Sequence, residues 1–337
     1  MQTINRNSVH TISVVIPVYM GETTLKSLVG ELDLQGHVHT TPAGIRYTVE
    51  EVVLVHDCGP DDSDQVIREM SVHSARVTPV WLSRNFGQHS ATLAGIAATK
   101  SDWVVTLDED GQHNPADVAV LLDEAVKSRT ALVYALPMQK PQHNPWRNGT
   151  SRFAKVVASK LAGSEGPMLY SSFRLISGEI ARSLAAFAGP SLYLDVALGW
   201  ICKEPASVPV MYRVEKRASS GYSTRKLMSH FWKLAITTGT RPLRVVSLLG
   251  AIVGLFGLLL SAKIIFDRLV YGIAAEGWAS VLVSILVIGG AILFAVGVIA
   301  EYVGLVVRNS FGQPTYLTLR DPSKSPVHGV GTGTDTQ

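Results

Sequence analysis

Two uncharged runs close to the C-terminus constrain how this chain can be built. Residues 245–262 carry no charge over 18 positions, and residues 277–300 carry none over 24. As helices rising 1.5 Å per residue, both can cross about 30 Å of hydrocarbon. Two such runs back to back predict a pair of membrane helices with the rest of the chain outside the bilayer, a buried core helix being the alternative. The composition agrees: 47% of the 337 residues are hydrophobic and only 17% are charged. Arg225, Lys226, Lys233, Arg241 and Arg244 precede the first run, and Arg308, Arg320 and Lys324 follow the second. The turn between carries Lys263 and Arg268 against Asp267 and Glu276. This bias predicts that both chain ends face the cytoplasm. Leu227, Phe231, Trp232 and Leu234 interleave with Lys226, His230 and Lys233, the pattern of a helix lying in the membrane interface.

The expected organisation is therefore an extramembrane domain over 1–223 and an amphipathic interfacial segment over 224–242. Two membrane helices follow within 243–307, at about 245–266 and 278–300, then a tail over 308–337 whose Gly/Thr-rich end is disordered. The apolar run 12–18 is too short for a signal peptide and contains Pro17, so it reads as a strand. Two cysteines, Cys58 and Cys202, fit a reducing compartment and imply no disulfide framework. The net charge of +3 is not a nucleic-acid signature.

In the first 214 residues two kinds of segment alternate. Stretches 12–18, 49–55, 77–82, 103–107 and 131–136 are short, apolar and β-rich; stretches 23–34, 63–73, 90–99 and 117–128 are amphipathic. That rhythm predicts an α/β fold, a mostly parallel sheet flanked by helices, with the functional loops after the strands. The first strand runs into Pro17-Val18-Tyr19-Met20-Gly21-Glu22, so the glycine fingerprint of dehydrogenase-type dinucleotide binding is missing. Residues 138–148 read as a mobile loop over the site, and 147–162 as a helix.

Residues 103–115 concentrate the chemistry. An apolar strand-like run ends in Asp108-Glu109-Asp110-Gly111-Gln112-His113, and Pro115 then starts a helix. Asp108 and Asp110 are two residues apart and point to one side of an extended backbone, with Gln112 continuing the row. Hard oxygen ligands grouped in this way suit Mg²⁺ or Mn²⁺ bridging a diphosphate. A solvated acidic turn is the plainer reading of the two acids alone.

Several motifs together resemble one family. They are Val14-Val15-Ile16-Pro17-Val18-Tyr19, the run from Val55-His56-Asp57 to Ser63, Ser83-Arg84-Asn85-Phe86-Gly87-Gln88-His89, and the Asp108–Gln112 run. The chain resembles family 2 glycosyltransferases of the GT-A fold, a Rossmann-like sheet, and within them the polyprenyl-phosphate glycosyltransferases. That branch includes bactoprenol glucosyltransferase, undecaprenyl-phosphate aminoarabinose transferase and dolichol-phosphate mannose synthase. Thr240-Arg241-Pro242-Leu243-Arg244, Glu301-Tyr302-Val303-Gly304 and Pro314-Thr315-Tyr316 resemble its two-span members, so the likeness covers about residues 12–317.

The resemblance implies transfer of one sugar from a nucleotide-diphosphate donor, a UDP-sugar being favoured, to polyprenyl phosphate, with inversion at C1. It implies Asp57 for the nucleoside base, Pro17, Tyr19 and Glu22 around the base pocket, and Arg84 beside the donor. Asp108, Asp110 and Gln112 would hold the metal and diphosphate. Asp57 as a turn or cap residue, Tyr19 as a buried ring and Arg84 as a surface ion pair remain the structural alternatives. His113 is either near the metal or a loop histidine. Arg147, Arg152, Arg174, Arg213 and Arg217 are candidates for the acceptor phosphate, with Arg152 and Arg217 preferred; binding of lipid headgroups is the alternative.

Relatives often carry an acid ahead of the Phe173-Arg174-Leu175 segment; residues 167–175 have none. Asp195 is another candidate acid. A silent scaffold of the same fold and a processive polysaccharide synthase are the rival functions. The expected location is the cell membrane, multi-pass, with a cytoplasmic catalytic domain. The expected partners are the donor, the lipid acceptor, the bilayer and further copies of the chain as a tetramer.

Overall fold

A computed structural model of the chain describes residues 8–138, 171–189, 193–202, 204–213, 277–311 and 314–324, with a discontinuous set of positions between 246 and 270. They belong to two compact units, one within 1–144, 169–221 and 314–337, the other within 145–168 and 222–313. Arg147, Arg152, Arg217, the proposed loop after Met138, the helix over 147–162, the interfacial segment 224–242 and the far C-terminal end lie outside the described residues.

The first unit is built on a nine-stranded mixed sheet. In chain order it contains β1 (His10–Val18), α1 (Leu25–Asp33), β2 (His39–Thr40), β3 (Arg46–His56), α2 (Ser63–His73), β4 (Val77–Leu82), α3 (Gln88–Ala98) and β5 (Trp103–Thr106). There follow α4 (Val118–Ser128), β6 (Leu132–Pro137), β7 (Arg174–Ser177), α5 (Gly178–Phe187), α6 (Leu194–Ile201) and β8 (Ala206–Val210). With β9 (Thr318–Leu319) from the C-terminal tail, the strands lie in the order β8-β6-β7-β5-β1-β3-β4-β9, with β2 paired to β3. β1 is parallel to β3 and β5, and β3 is parallel to β4. β7 is antiparallel between β5 and β6.

Strand alternation explains the two cores. Ile12, Val14, Ile16, Val52, Leu54 and Val105 pack on one face against Leu25, Leu32, Ile67, Leu121 and Leu122 of α1, α2 and α4. Val15, Val53, Val55 and Val104 pack on the other face against Leu93, Ile96, Ala181 and Leu198 of α3, α5 and α6. Both faces are covered, as parallel strands require. The expected boundaries of β4 and α2 are those observed, the other expected early elements differ by one to three residues, and the short strand β2 was not expected.

Two features depart from the expected plan. β7 is a central strand that no apolar run announced. The tail also does not leave the domain at once: β9 (Thr318–Leu319) pairs antiparallel with β4. Ser83 N–H donates to Leu317 C=O at 2.9 Å, and Arg68 Nε donates to Asp321 at 3.0 Å. Residues 314–324 thus cover the edge of β4, which protects an otherwise open strand.

In the second unit α7 (Trp278–Ser310) is 33 residues long. It starts where the second membrane helix was expected and runs ten residues further. Its stretch Val287–Gly304 is long and apolar enough to cross a membrane, and almost none of it is buried within the protein. Among the described residues it is the one helix that meets this test. The described positions between 246 and 270 are helical, but they do not form a continuous described span. One helix of the expected pair is thus described, and the other falls on positions that are only partly described.

His56 ends β3 beneath α2. It is buried, its ring 5.6 Å from that of Trp81, and its Nε2 has no hydrogen-bond partner. Burial holds the imidazole below its ordinary value, while Asp64 and Asp61 pull it back up and Arg68 pushes it down. The unfolded chain thus takes a proton at higher pH than the folded one. The stability that neutral His56 contributes is complete above about pH 6.5 and is lost as pH falls through the lowered folded value. We expect His56→Phe to flatten the stability curve below pH 6.5. Denaturant titrations at pH 7.5 and 5.5 check this; an unchanged difference between the two refutes it.

Candidate active site

Parallel strands deliver their C-terminal ends to one edge of the sheet, so β1, β3, β4 and β5 bring Tyr19, Glu22, Asp57, Arg84, Asp108, Asp110 and Gln112 to the same side. The bonds between their loops are specific.

Asp57 follows β3 and is 3% exposed. Its two carboxylate oxygens accept from Phe86 N–H at 2.7 Å and Gly87 N–H at 2.9 Å. Burial pushes its carboxyl up, and these two bonds pull it back down. Gly87 has φ +88°, a conformation closed to most side chains, and this turns its N–H onto Asp57. Asp57 is therefore the clamp of the Arg84–Gly87 turn, with one further lone pair left on each oxygen. Arg84 is exposed, its guanidinium 4.4 Å from the centre of the Phe86 ring, a cation–π contact rather than an ion pair.

The turn after β1 is pinned at four successive amides. Tyr19 N–H donates to Glu109 at 2.9 Å and Met20 N–H to the same carboxylate at 3.1 Å. Gly21 N–H donates to Ser63 Oγ at 2.8 Å and Glu22 N–H to Asp61 at 3.1 Å. Gly59 lies so close to this turn that a Cβ there would fall 1.6 Å from the Tyr19 carbonyl oxygen. In dinucleotide-binding α/β folds the first strand–helix turn offers its amides to phosphate. Here protein carboxylates and a hydroxyl occupy them, so a diphosphate has no place in this turn. Pro17 is buried in β1, Tyr19 is 40% exposed and Glu22 is exposed.

The acidic turn after β5 is held from three sides. Gln88 Nε2 donates to Asp108 Oδ1 at 2.6 Å, and Ser172 Oγ donates to Asp108 Oδ2. Asp108 N–H donates to His113 Nδ1 at 3.1 Å. That bond puts the histidine proton on Nε2, which lies 3.8 Å from Asp108 Oδ2. His113 is buried, stacked on Phe173, with Tyr212 edge-on. Burial pushes its pKa down, against the pull of Asp108 and Asp110. Asp110 Oδ1 accepts from Gln112 N–H at 2.9 Å. His113 is thus a buried support of the turn, not a solvated loop residue.

Asp108 and Asp110 make an oxygen-only donor set that fits Mg²⁺ or Mn²⁺. Among the described residues no group of three or more His, Cys, Asp or Glu could hold a metal. An ion at the two aspartates would complete its shell from diphosphate and water, the usual habit of Mg²⁺.

Two acceptor candidates are otherwise engaged. Arg213 makes a two-pronged contact with Glu31 at 2.8 and 2.7 Å and donates to Asn114 at 2.7 Å. Arg174 is 3% exposed and paired with Asp195, while its Nε donates to Thr106 Oγ1 at 3.1 Å. Asp195 also accepts from Tyr134 OH at 3.1 Å. Arg174 and Asp195 form a core ion pair, and neither is available for acceptor binding or base chemistry. Sequence reasoning missed the supporting roles of Gln88, Glu109, Ser172 and Tyr212. Ser172 carried a signal, since it stands in the stretch that lacks the acid common in relatives.

The family described as Glycosyl transferase family 2 matches residues 13–184. Undecaprenyl-phosphate 4-deoxy-4-formamido-L-arabinose transferase of Edwardsiella ictaluri (strain 93-146) is 27% identical over 316 residues, 92% of this chain and 93% of that protein. Bactoprenol glucosyl transferase of Shigella phage SfX is 28% identical over 271 residues, 79% of this chain and 87% of that protein. Glucosyl-3-phosphoglycerate synthase from Mycobacterium tuberculosis, crystallised with Mn²⁺, UDP-glucose and phosphoglyceric acid, superposes with a TM-score of 0.49. It is 20% identical, over 69% of this chain and 79% of that one.

Proposed function

The chain belongs to glycosyl transferase family 2, and from that membership we propose that it moves one sugar from a nucleotide-diphosphate donor to a polyprenyl phosphate at a membrane surface. The observation that carries this reading is the Asp108–Asp110 turn, braced at the sheet edge beside the turns after β1, β3 and β4. The acceptor class follows from the relatives, whose names join a sugar to undecaprenyl phosphate or bactoprenol. The apolar helix α7 gives such an enzyme a means of meeting a water-insoluble substrate.

Asp108 and Asp110 would hold the divalent ion, with Gln112 beside them, and when bound it would supply Lewis-acid stabilisation to the departing nucleotide. Tyr19 and the Asp57 turn receive the base, uracil being favoured, and Arg84 lies next to the diphosphate. A phosphate monoester has its second pKa near 6, so at pH 7 the acceptor is largely dianionic and already nucleophilic. A strong general base is unnecessary, which fits hydroxyls rather than a carboxylate at Ser171 and Ser172. Arg152 and Arg217 hold the acceptor phosphate in line with the sugar C1, and direct displacement inverts that centre. Residues 245–266 form a second membrane helix, with the catalytic domain on the cytoplasmic side.

Membranes containing the protein, incubated with polyprenyl phosphate and a panel of UDP- and GDP-sugars, test this. We expect one donor to yield a lipid carrying a single sugar, activity to vanish with EDTA, and Mg²⁺ or Mn²⁺ to restore it. Failure of every donor, or formation of a long polymer, refutes the reading.

A further inference from the structure

The acidic turn contains three carboxylates, and they divide their contacts. Asp108 meets Gln88 and Ser172, and Asp110 meets the Gln112 amide. Glu109, between them, turns to the strand-end loop ninety residues earlier and accepts the amide protons of both Tyr19 and Met20. A charged acceptor with two converging N–H donors is among the stronger hydrogen-bonding arrangements. It leaves those amides nothing to offer a phosphate.

The geometry points to Glu109 as a positioning residue that locks the Tyr19–Glu22 turn to the Asp108–Asp110 turn. It fixes the span between the place for the nucleoside and the place for its diphosphate. This deepens the proposed function and rests on it. One nucleotide must touch both turns at once, so their spacing acts as a ruler for the donor. The ruler has no bearing on the lipid acceptor. The other two pins, Ser63 on Gly21 and Asp61 on Glu22, hold the far end of the same turn, and Ser63 Oγ donates to Asp61 at 2.6 Å. Glu109 alone joins it to the metal-binding turn among these four contacts.

Two readouts on the full chain in detergent test this. Hydrogen–deuterium exchange at Tyr19 and Met20 is expected to quicken at least about tenfold in Glu109→Ala, because both amides lose their acceptor. The KM for the nucleotide sugar turned over by the wild type is expected to rise about tenfold, with the polyprenyl-phosphate KM and the metal requirement unchanged. Glu109→Gln keeps one acceptor oxygen and is expected to fall between, near threefold. Should Glu109→Ala fold poorly, the Gln variant carries the test. Unchanged exchange at the two amides, an unchanged donor KM, or an equal rise in both KM values overturns the brace. Full transfer by Asp110→Ala would instead overturn the metal reading, whatever Glu109 does.

Discussion

Asp110→Ala is expected to lower sugar transfer by at least about 10²–10³-fold while leaving the protein folded. The size follows from the charge it handles. A departing nucleoside diphosphate develops negative charge that a preorganised cation offsets, and removing one such stabilising element typically costs that factor. The fold should survive because the Asp110 side chain has little structural duty. It is half-buried and accepts the local bond from Gln112 N–H, worth about 1 kcal/mol. Asp108 makes a poorer test, because Gln88 and Ser172 both depend on it. The check is transfer rate together with thermal unfolding. Undiminished turnover would mean that this carboxylate holds no metal.

The largest stability effect is expected at Asp195. Removing it leaves the Arg174 guanidinium, 3% exposed, buried without its charge partner. Breaking a buried pair from one side costs about 3–5 kcal/mol. For a domain of this size that lowers the melting temperature by roughly 10 °C. The double variant Arg174→Met/Asp195→Leu removes both charges and should recover much of the loss, since no ion is stranded. Thermal unfolding of the two variants decides. A single variant as stable as the wild type, or a double variant no better than the single, would contradict this account. The pair sits under the site: Arg174 reaches Thr106, Thr106 donates to the Ser172 carbonyl, and Ser172 Oγ donates to Asp108. Some loss of transfer should therefore accompany the loss of stability.

Much of the fold was legible because the cues were local. Valine and isoleucine runs with flanking turn residues marked β1, β3, β4 and β5. Pro115 marked the start of the helical segment that ends in α4, and the structure adds the Asn114 side chain, which accepts from Ala116 N–H. The strand β7 was illegible for the opposite reason. Arg174-Leu175-Ile176-Ser177 is short and carries a charge, and what makes it a central strand is pairing with β5 and β6. Its arginine is tolerated there only because Asp195, twenty-one residues later, meets it. Likewise β9 is two residues long, and nothing in Thr318-Leu319 reveals that β4 lacks a neighbour.

The candidate site divides in the same way. Asp108, Asp110 and Gln112 could be read from spacing, because an apolar strand ending in acids is a local pattern. Asp57 could be found at a strand end, but its bonds to Phe86 and Gly87, about thirty residues away, could not. Glu109 drew no role from its place in the run, and its bond to a turn ninety residues distant could not be read there. Apolar periodicity, chain-end charge bias and strand-end acids depend on neighbours along the chain, so the order of residues alone determined them. Which carboxylate caps an amide, which accepts from a glutamine and which neutralises an arginine was decided only in three dimensions. A charged side chain takes its role from the partner that desolvation forces it to find.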